Sequence, residues 1–166
     1  MIRAFAAAAA LVLVAAPAAA QELTLKGLDG KSKVLAAADL ADLPRAEVKA
    51  GDKTYEGPVL AYVLRAGGLP VGPKLHGDPL RAYLMVTGAD GFQALWSLAE
   101  VDKDFHADTV ILADKVGGQP LPAKEAPWRL VSSADRKGWR SVYAVKSIVA
   151  TLPSSGAAVA GEMHHP

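Results

Sequence analysis

The stretch Tyr55-Glu-Gly-Pro-Val-Leu-Ala-Tyr-Val-Leu-Arg-Ala-Gly-Gly68 changes abruptly from a strand-like to a helical pattern. Pro58 is suited to the first turn of a helix, where a missing N–H costs nothing. The apolar side chains after it recur at helical spacing, and Gly67-Gly68 is typical of a helix end. Upstream, residues 46–55 predict a β-hairpin that turns at Gly51-Asp52.

The flanking sequence predicts short strands interrupted by turns. Pro44 stops a short helix over 35–43, and Ser97 with Glu100 has the spacing of a capping box that opens another helix. The Gly- and Pro-rich segment 71–79 predicts an exposed loop. Strands are predicted over 22–28, 80–87, 92–96, 109–113, 128–131 and 140–151, with turns at Asp29-Gly30, 89–91 and Gly117-Gly118. Together these elements predict an α+β fold that is mostly β, with short helices.

The N-terminus has the three parts of a cleavable export signal. Arg3 precedes an apolar run over 4–16, Pro17 breaks that run, and Ala18-Ala-Ala20 supplies small residues for cleavage after Ala20. The run is shorter than the roughly 20 residues that span a bilayer, although an uncleaved anchor is the alternative. We therefore expect a signal peptide (1–20), a periplasmic domain (21–153) and a disordered tail (154–166), with no membrane insertion after cleavage.

Composition removes several classes of function. Cleavage would leave 146 of the 166 residues, enough for one packed domain, and would remove Arg3, leaving 17 basic and 17 acidic residues. A neutral chain lacks the field that attracts nucleic acid. The sequence contains no cysteine, so it offers no disulfide, thiolate metal ligand or cysteine nucleophile.

The sequence contains little that matches the common catalytic and metal-binding motifs. The paired glycines lack the spacing of a phosphate-binding loop, and no G-x-S-x-G element is present. His76 and His106 are isolated, which favours plain surface histidines over ligands. Glu162-Met-His-His165 could bind copper, or could bind metal adventitiously as a flexible tail does. No metal site is therefore predicted.

The most informative polar chemistry lies between Pro127 and Arg140. Arg129 stands in an apolar strand, where a charge is costly unless an anion or hydrogen bonds receive it. Further cations follow, and Trp128 and Trp139 are interleaved with them. Guanidinium groups beside aromatic rings suit a planar polar ligand. A salt bridge from Arg129 to Asp90 or Glu100, with tryptophans in the core, explains the same pattern, and the residues alone leave both readings open.

The order of several short motifs resembles the oxidoreductase molybdopterin-binding domain, the sulfite oxidase-like fold. The matching pieces span about 23–152 and cover nearly all of the expected mature chain. They are 40–44, 55–60, 64–67, 87–92, 97–100, 111–114, 118–121, 127–131 and 140–142. The resemblance implies a mostly β, α+β domain with a pterin-type pocket formed by loops.

One departure from that family bears directly on chemistry. Catalytic members place a molybdenum-binding cysteine before the Tyr/Trp-x-Gly element, and here Val48-Lys-Ala-Gly-Asp-Lys-Thr-Tyr55 has neither cysteine nor serine. Small exported members that hold a pterin without molybdenum are similar to this chain. The resemblance implies Asp90, Glu100 and Arg129 as contacts to the ring edge and Arg140 as a further anchor. Stacking would come from Phe92, Trp96 or Trp128, not all of which can face one pocket.

Three functions therefore stand as hypotheses. The first is a periplasmic protein that binds a pterin or molybdopterin-like ligand without cysteine-ligated molybdenum, in sensing or signalling. The second is a molybdopterin-dependent oxidoreductase subunit whose metal keeps only cofactor ligands. The third is a non-catalytic interaction module for a membrane sensor or electron-transfer partner. Whether the chain is an enzyme is left open, because the family catalyses but its cysteine is missing.

Overall fold

Alternating buried residues build a five-stranded sheet around β11, the last strand. A computed structural model describes residues 21–154, and the sheet has the order β2-β1-β11-β5-β6. β1 pairs in parallel with β11, while the other pairs are antiparallel. Its strands are β1 (Glu22–Lys26), β2 (Ser32–Ala36), β5 (Tyr83–Gly88), β6 (Gln93–Ser97) and β11 (Val145–Thr151). One face carries leucine, valine, isoleucine and Trp96 into the main core.

A four-stranded sheet and a two-stranded sheet enclose a second, smaller core. The first has the order β3-β4-β8-β9 and the second pairs β7 with β10. Their strands are β3 (Arg45–Ala50), β4 (Lys53–Pro58), β7 (Val110–Ala113), β8 (Lys115–Val116), β9 (Gln119–Pro120) and β10 (Arg129–Ser132). β4 crosses β7 so closely that a Cβ at Gly57 would lie 2.3 Å from the Leu112 carbonyl oxygen. Only glycine fits that crossing.

Two short helices complete the fold, α1 (Ala37–Ala41) and α2 (Leu60–Ala66). The predicted apolar face of α2 is confirmed, since Leu60, Val63 and Leu64 are buried in the main core. Single 3₁₀ turns occupy Gly72–Lys74, Asp78–Arg81 and Gly138–Arg140. The predicted α+β class, mostly β with few short helices, is confirmed.

The helix predicted from Ser97 is wrong. Ser97 is the last residue of β6 and pairs with Tyr83, and the next N–H, that of Leu98, is donated to the Ala82 carbonyl at 2.9 Å. Glu100 does accept the Ser97 N–H at 3.3 Å, as a capping box would. Sheet pairing holds the backbone extended at the position where the helix would begin.

Several predicted boundaries also move. Pro58 ends β4 opposite Arg45, so the helix begins at Leu60 and not at the proline. The strand predicted from Leu80 begins at Tyr83, and the strand predicted from Arg140 begins at Val145.

The segment 71–79 is largely exposed, as its composition indicates, but Val71, Gly72 and Leu75 are buried. It is also more regular than a loop, because 3₁₀ turns occupy Gly72–Lys74 and begin again at Asp78. β2 was missed, because only Leu35 of its side chains is buried and strand alternation is hidden. The predicted signal peptide, the tail from residue 155 and the His164-His165 pair lie outside the described residues.

Candidate functional site

A cavity of about 240 Å³ lies between the β5–β6 turn and the segment before β11. We call it the aromatic cavity, and its lining residues are Asp90, Phe92, Gly138, Trp139, Ser141 and Tyr143. The sheet fixes its two walls, since β5 pairs with β11 and the Ala89 N–H is donated to the Ala144 carbonyl at 2.9 Å. A Cβ at Gly88 would lie 2.5 Å from the backbone carbonyl oxygen of Tyr143, so the two walls lie close together there.

Two exposed rings form the rim of the aromatic cavity. Phe92 is 44% exposed and Trp139 is 80% exposed. The Lys137 ammonium lies 4.6 Å from the centre of the Trp139 ring, as in a cation–π contact. Exposed rings contribute little burial to the fold, and at a cavity they offer flat apolar faces that a ligand can pack against.

Asp90 supplies a carboxylate at the same rim. Its Oδ1 accepts the Phe92 N–H at 2.9 Å, which holds the turn and the Phe92 ring in place. Oδ2 accepts no hydrogen bond from residues 21–154. The exposed carboxylate can therefore receive N–H donors of a ligand.

Arg129 lies behind the cavity in a buried polar network. Its Nη1 donates to Glu125 at 2.8 Å and to the Tyr55 hydroxyl, and its Nε donates to Ser141 Oγ at 2.7 Å. The guanidinium is sandwiched between the Tyr55 and Tyr143 rings, 4.5 and 4.4 Å from their centres. Burial raises the pKa of Tyr55, although the Arg129 charge opposes this.

The remaining nitrogen of Arg129 faces the cavity wall. A Cβ at Gly138 would lie 3.5 Å from Nη2, and no residue in 21–154 accepts a hydrogen bond from Nη2. Arg129 itself does not line the cavity, and its Nη2 lies behind Gly138, which does.

The alternative in which a salt bridge satisfies Arg129 is confirmed, but the suggested partners Asp90 and Glu100 are wrong. Glu125 is its partner, and both side chains are nearly inaccessible to solvent. Glu100 instead pairs with Arg140, whose Nη2 also donates to Asp135. The guanidinium of Arg140 covers the Trp96 ring at 3.6 Å. Burial lowers the pKa of Arg140, but hydrogen bonds to Asp135 and Glu100 outweigh it and the net pKa is raised.

The predicted site residues therefore separate into three groups. Asp90 and Phe92 line the aromatic cavity, and Arg129 backs it. Trp96, Glu100 and Arg140 form the adjoining ion-paired stack, in which Trp96 is 1% exposed and its Nε1 has no hydrogen-bond partner in 21–154. Trp128 is buried and lines a different cleft with Arg45 and Asp114, because neighbouring residues in a strand point to opposite faces.

Sequence reasoning missed Tyr55, Ser141 and Tyr143 as parts of the site. Trp139 was noted beside the cations, which was the available signal for the rim. The tyrosines gave none, because Tyr55 is 74 positions from Arg129 along the chain. Their contact arises only from the packing of β4 near β10.

The family's metal-ligand position falls in the β3–β4 hairpin. That hairpin contains no cysteine, and no group of three potential metal-ligating side chains occurs among residues 21–154. The aromatic cavity offers an exposed carboxylate and two exposed aromatic rings. It does not supply a thiolate that would hold molybdenum.

The fold places the chain among α+β, mostly β domains. A scan of protein-family models and a search of curated proteins return no match. Among solved structures, the chain is similar to the sulfane dehydrogenase SoxCD from Paracoccus pantotrophus, with a TM-score of 0.59 and 20% identity. The match covers 78% of this chain and 38% of the SoxCD chain, so the similarity concerns a domain-sized part. No helix formed by residues 21–154 has the length and apolar character needed to cross a membrane.

Proposed function

We propose that this protein binds a pterin-type ring in the aromatic cavity, without a cysteine ligand to molybdenum. The observation that carries this proposal is the convergence of Asp90 and the exposed Phe92 and Trp139 rings on one small cavity, with Arg129 behind Gly138 in its wall. The cavity is smaller than the roughly 300–1,000 Å³ typical of drug-sized ligands. A compact bicyclic ring suits it better than a larger cofactor.

Each group has a complementary partner on a pterin. The pyrimidine edge of a pterin carries N–H donors that a carboxylate such as Asp90 accepts, and a carbonyl oxygen that Arg129 Nη2 reaches as a donor. The flat face of the ring packs on Phe92 or Trp139. Arg140 and Glu100 hold the segment that carries Trp139, so we assign them to positioning and not to ligand contact.

The proposal also covers the cellular location and the biological role of the protein. We infer from the first 20 residues that the chain is exported and cleaved after Ala20, and that it works in the periplasm. A protein that binds a ring without an evident nucleophile or protein-ligated metal suits sensing. A bound ring would cover part of Trp139, and a membrane sensor that contacts this rim would distinguish the loaded from the empty protein.

The similarity to SoxCD favours a second candidate, an oxidoreductase subunit that uses molybdopterin. In that case the dithiolene of the cofactor, and no protein side chain, would hold the metal. Asp90 and Arg129 would then hold the pterin part of the cofactor. A non-catalytic interaction module is the third candidate, and the exposed Trp139 would be its contact.

One preparation separates the three. The protein is purified from its native periplasm, molybdenum is measured by elemental analysis, and pterin is measured by fluorescence after denaturation. We expect pterin near one equivalent and no stoichiometric molybdenum. Stoichiometric molybdenum would establish the oxidoreductase candidate instead, and the absence of both would leave the interaction module.

A matched pair of variants then locates the ligand. Phe92→Ala removes a rim ring that is 44% exposed, and Phe105→Ala removes a ring that is 48% exposed and does not line the cavity. We expect Phe92→Ala to weaken binding of tetrahydropterin by about fivefold or more, the value of one stacking contact of roughly 1 kcal/mol. Equal effects of the two changes would refute the placement.

A further inference from the structure

A second cavity lies at the C-terminal end of α2, beside the segment that follows the helix. We call it the proline cleft, and it has a volume of about 540 Å³. Its lining residues are Arg65, Gly68, Leu69, Pro70, Val71, Pro73 and Lys74. None of them lines the aromatic cavity. Its volume is within the range of pockets that hold small organic ligands, roughly 300–1,000 Å³.

The wall of the proline cleft is rigid. α2 ends where Gly68 takes a φ of +93°, and the Leu69 N–H is donated to the Leu64 carbonyl at 3.0 Å. Gly72 also has positive φ, and its N–H is donated to the carboxylate of Asp102, which is 4% exposed. Because Pro70 stiffens the segment between these anchors and Pro73 follows directly after it, we expect little entropy to be lost when a ligand binds.

The charged residues that line the cleft are both positive. Arg65 and Lys74 line it, and neither forms an ion pair with any carboxylate in 21–154. The guanidinium of Arg65 lies 5.3 Å from the centre of the Tyr62 ring. Arg65 also lines the adjoining cavity, which it shares with Asp102 and Asp104. A Cβ at Gly72 would be 3.2 Å from Arg65 Nη2 and 3.7 Å from Asp104 Oδ2.

The accessible apolar part of the cleft comes from its two prolines. Pro70 is half-buried and Pro73 is exposed, and both line the cleft with the nearly buried side chains of Leu69 and Val71. A ligand that satisfies both parts needs a negative head and a short apolar body. We propose that the proline cleft is a binding site for small amphiphilic anions, carboxylates or sulfonates that carry an alkyl chain or a ring.

The first test follows backbone amide shifts of the ¹⁵N-labelled protein by NMR during titration with hexanoate, octanoate and decanoate. We expect shifts at Gly68, Leu69, Val71 and Gly72. Affinity should rise roughly fourfold with each added methylene, because each buries apolar surface. Affinity that is independent of chain length, no shifts at these amides, or shifts centred on Phe92 would each overturn the proposal.

The second test separates the cleft from the general charge of the protein. The double variant Arg65→Ala/Lys74→Ala should weaken octanoate binding by about fivefold or more, since two ion pairs are lost. The control Lys49→Ala/Lys146→Ala removes the same charge from exposed strand positions outside the cleft. It should change affinity by less than about twofold. An equal loss in both double variants would mean that octanoate binds without a site and would refute the proposal.

Discussion

Replacing Arg129 with methionine tests whether the buried network behind the aromatic cavity excludes water as the structure indicates. The side chains of Arg129 and Glu125 are 9% and 6% exposed and meet at 2.8 Å. Methionine keeps most of the length of the side chain but leaves the Glu125 carboxylate buried without its cation. Breaking a buried pair in this way costs about 3–5 kcal/mol. That is a large part of the roughly 5–15 kcal/mol that stabilises a typical domain.

The measurement is urea unfolding at neutral pH, followed by far-ultraviolet circular dichroism. We expect the free energy of unfolding to fall by about 3–5 kcal/mol in Arg129→Met. The second change, Glu125→Gln, should restore at least about 1 kcal/mol in that background, because a neutral amide costs less to bury than a carboxylate. A loss below about 1 kcal/mol would mean that water reaches the pair, and the assigned burial of the network would be wrong.

Three further changes test other parts of the structure. Burial raises the pKa of Tyr55, so the unfolded chain loses that proton first, and the free energy of unfolding should fall as pH rises above about 10. In Tyr55→Phe this contribution to the pH dependence should disappear, as seen in urea midpoints between pH 8 and 11. Gly57→Ala places a Cβ 2.3 Å from the Leu112 carbonyl oxygen, and the domain should lose roughly 3 kcal/mol or fail to fold. Arg140→Ala removes partly exposed ion pairs to Glu100 and Asp135, and thermal unfolding should show a loss of about 1–2 kcal/mol, with a smaller one contradicting the assigned stacking.

The elements that sequence predicted well are those in which local preference and tertiary packing agree. The hairpin at Gly51-Asp52 joins β3 and β4 as predicted, and Gly51 takes the positive φ that such a turn requires. The apolar face of α2 also forms the main core. In both cases the local preference and the packing among residues 21–154 favour the same conformation.

Prediction failed where a distant partner decided the conformation. The Ser97–Glu100 spacing indicates a helix, but Leu98 N–H is donated to Ala82 across the sheet. The partner of Arg129 was also unpredictable. Glu125 is four residues away, a separation that suggests contact in a helix, whereas a turn and the start of β10 bring them together here. The contact of Tyr55 with Arg129 depends on the packing of separate strands, which no local pattern encodes.

The exposed rim of the aromatic cavity supports the proposed function more strongly than the buried network of Arg129 does. In the sequence, Arg129 is a charge in an apolar strand that requires an anion or hydrogen bonds. In the structure, Glu125 and Tyr55 accept hydrogen bonds from its Nη1, and Ser141 accepts one from its Nε. Contacts within the fold therefore account for the buried position of Arg129, and only its Nη2 has no hydrogen-bond partner among residues 21–154. Trp139 is different, because a ring that is 80% exposed contributes little burial to the core. The proposed pterin binding therefore depends most on this rim. Loss of pterin affinity in Trp139→Ala with unchanged stability is the result that would distinguish a binding surface from an inert one.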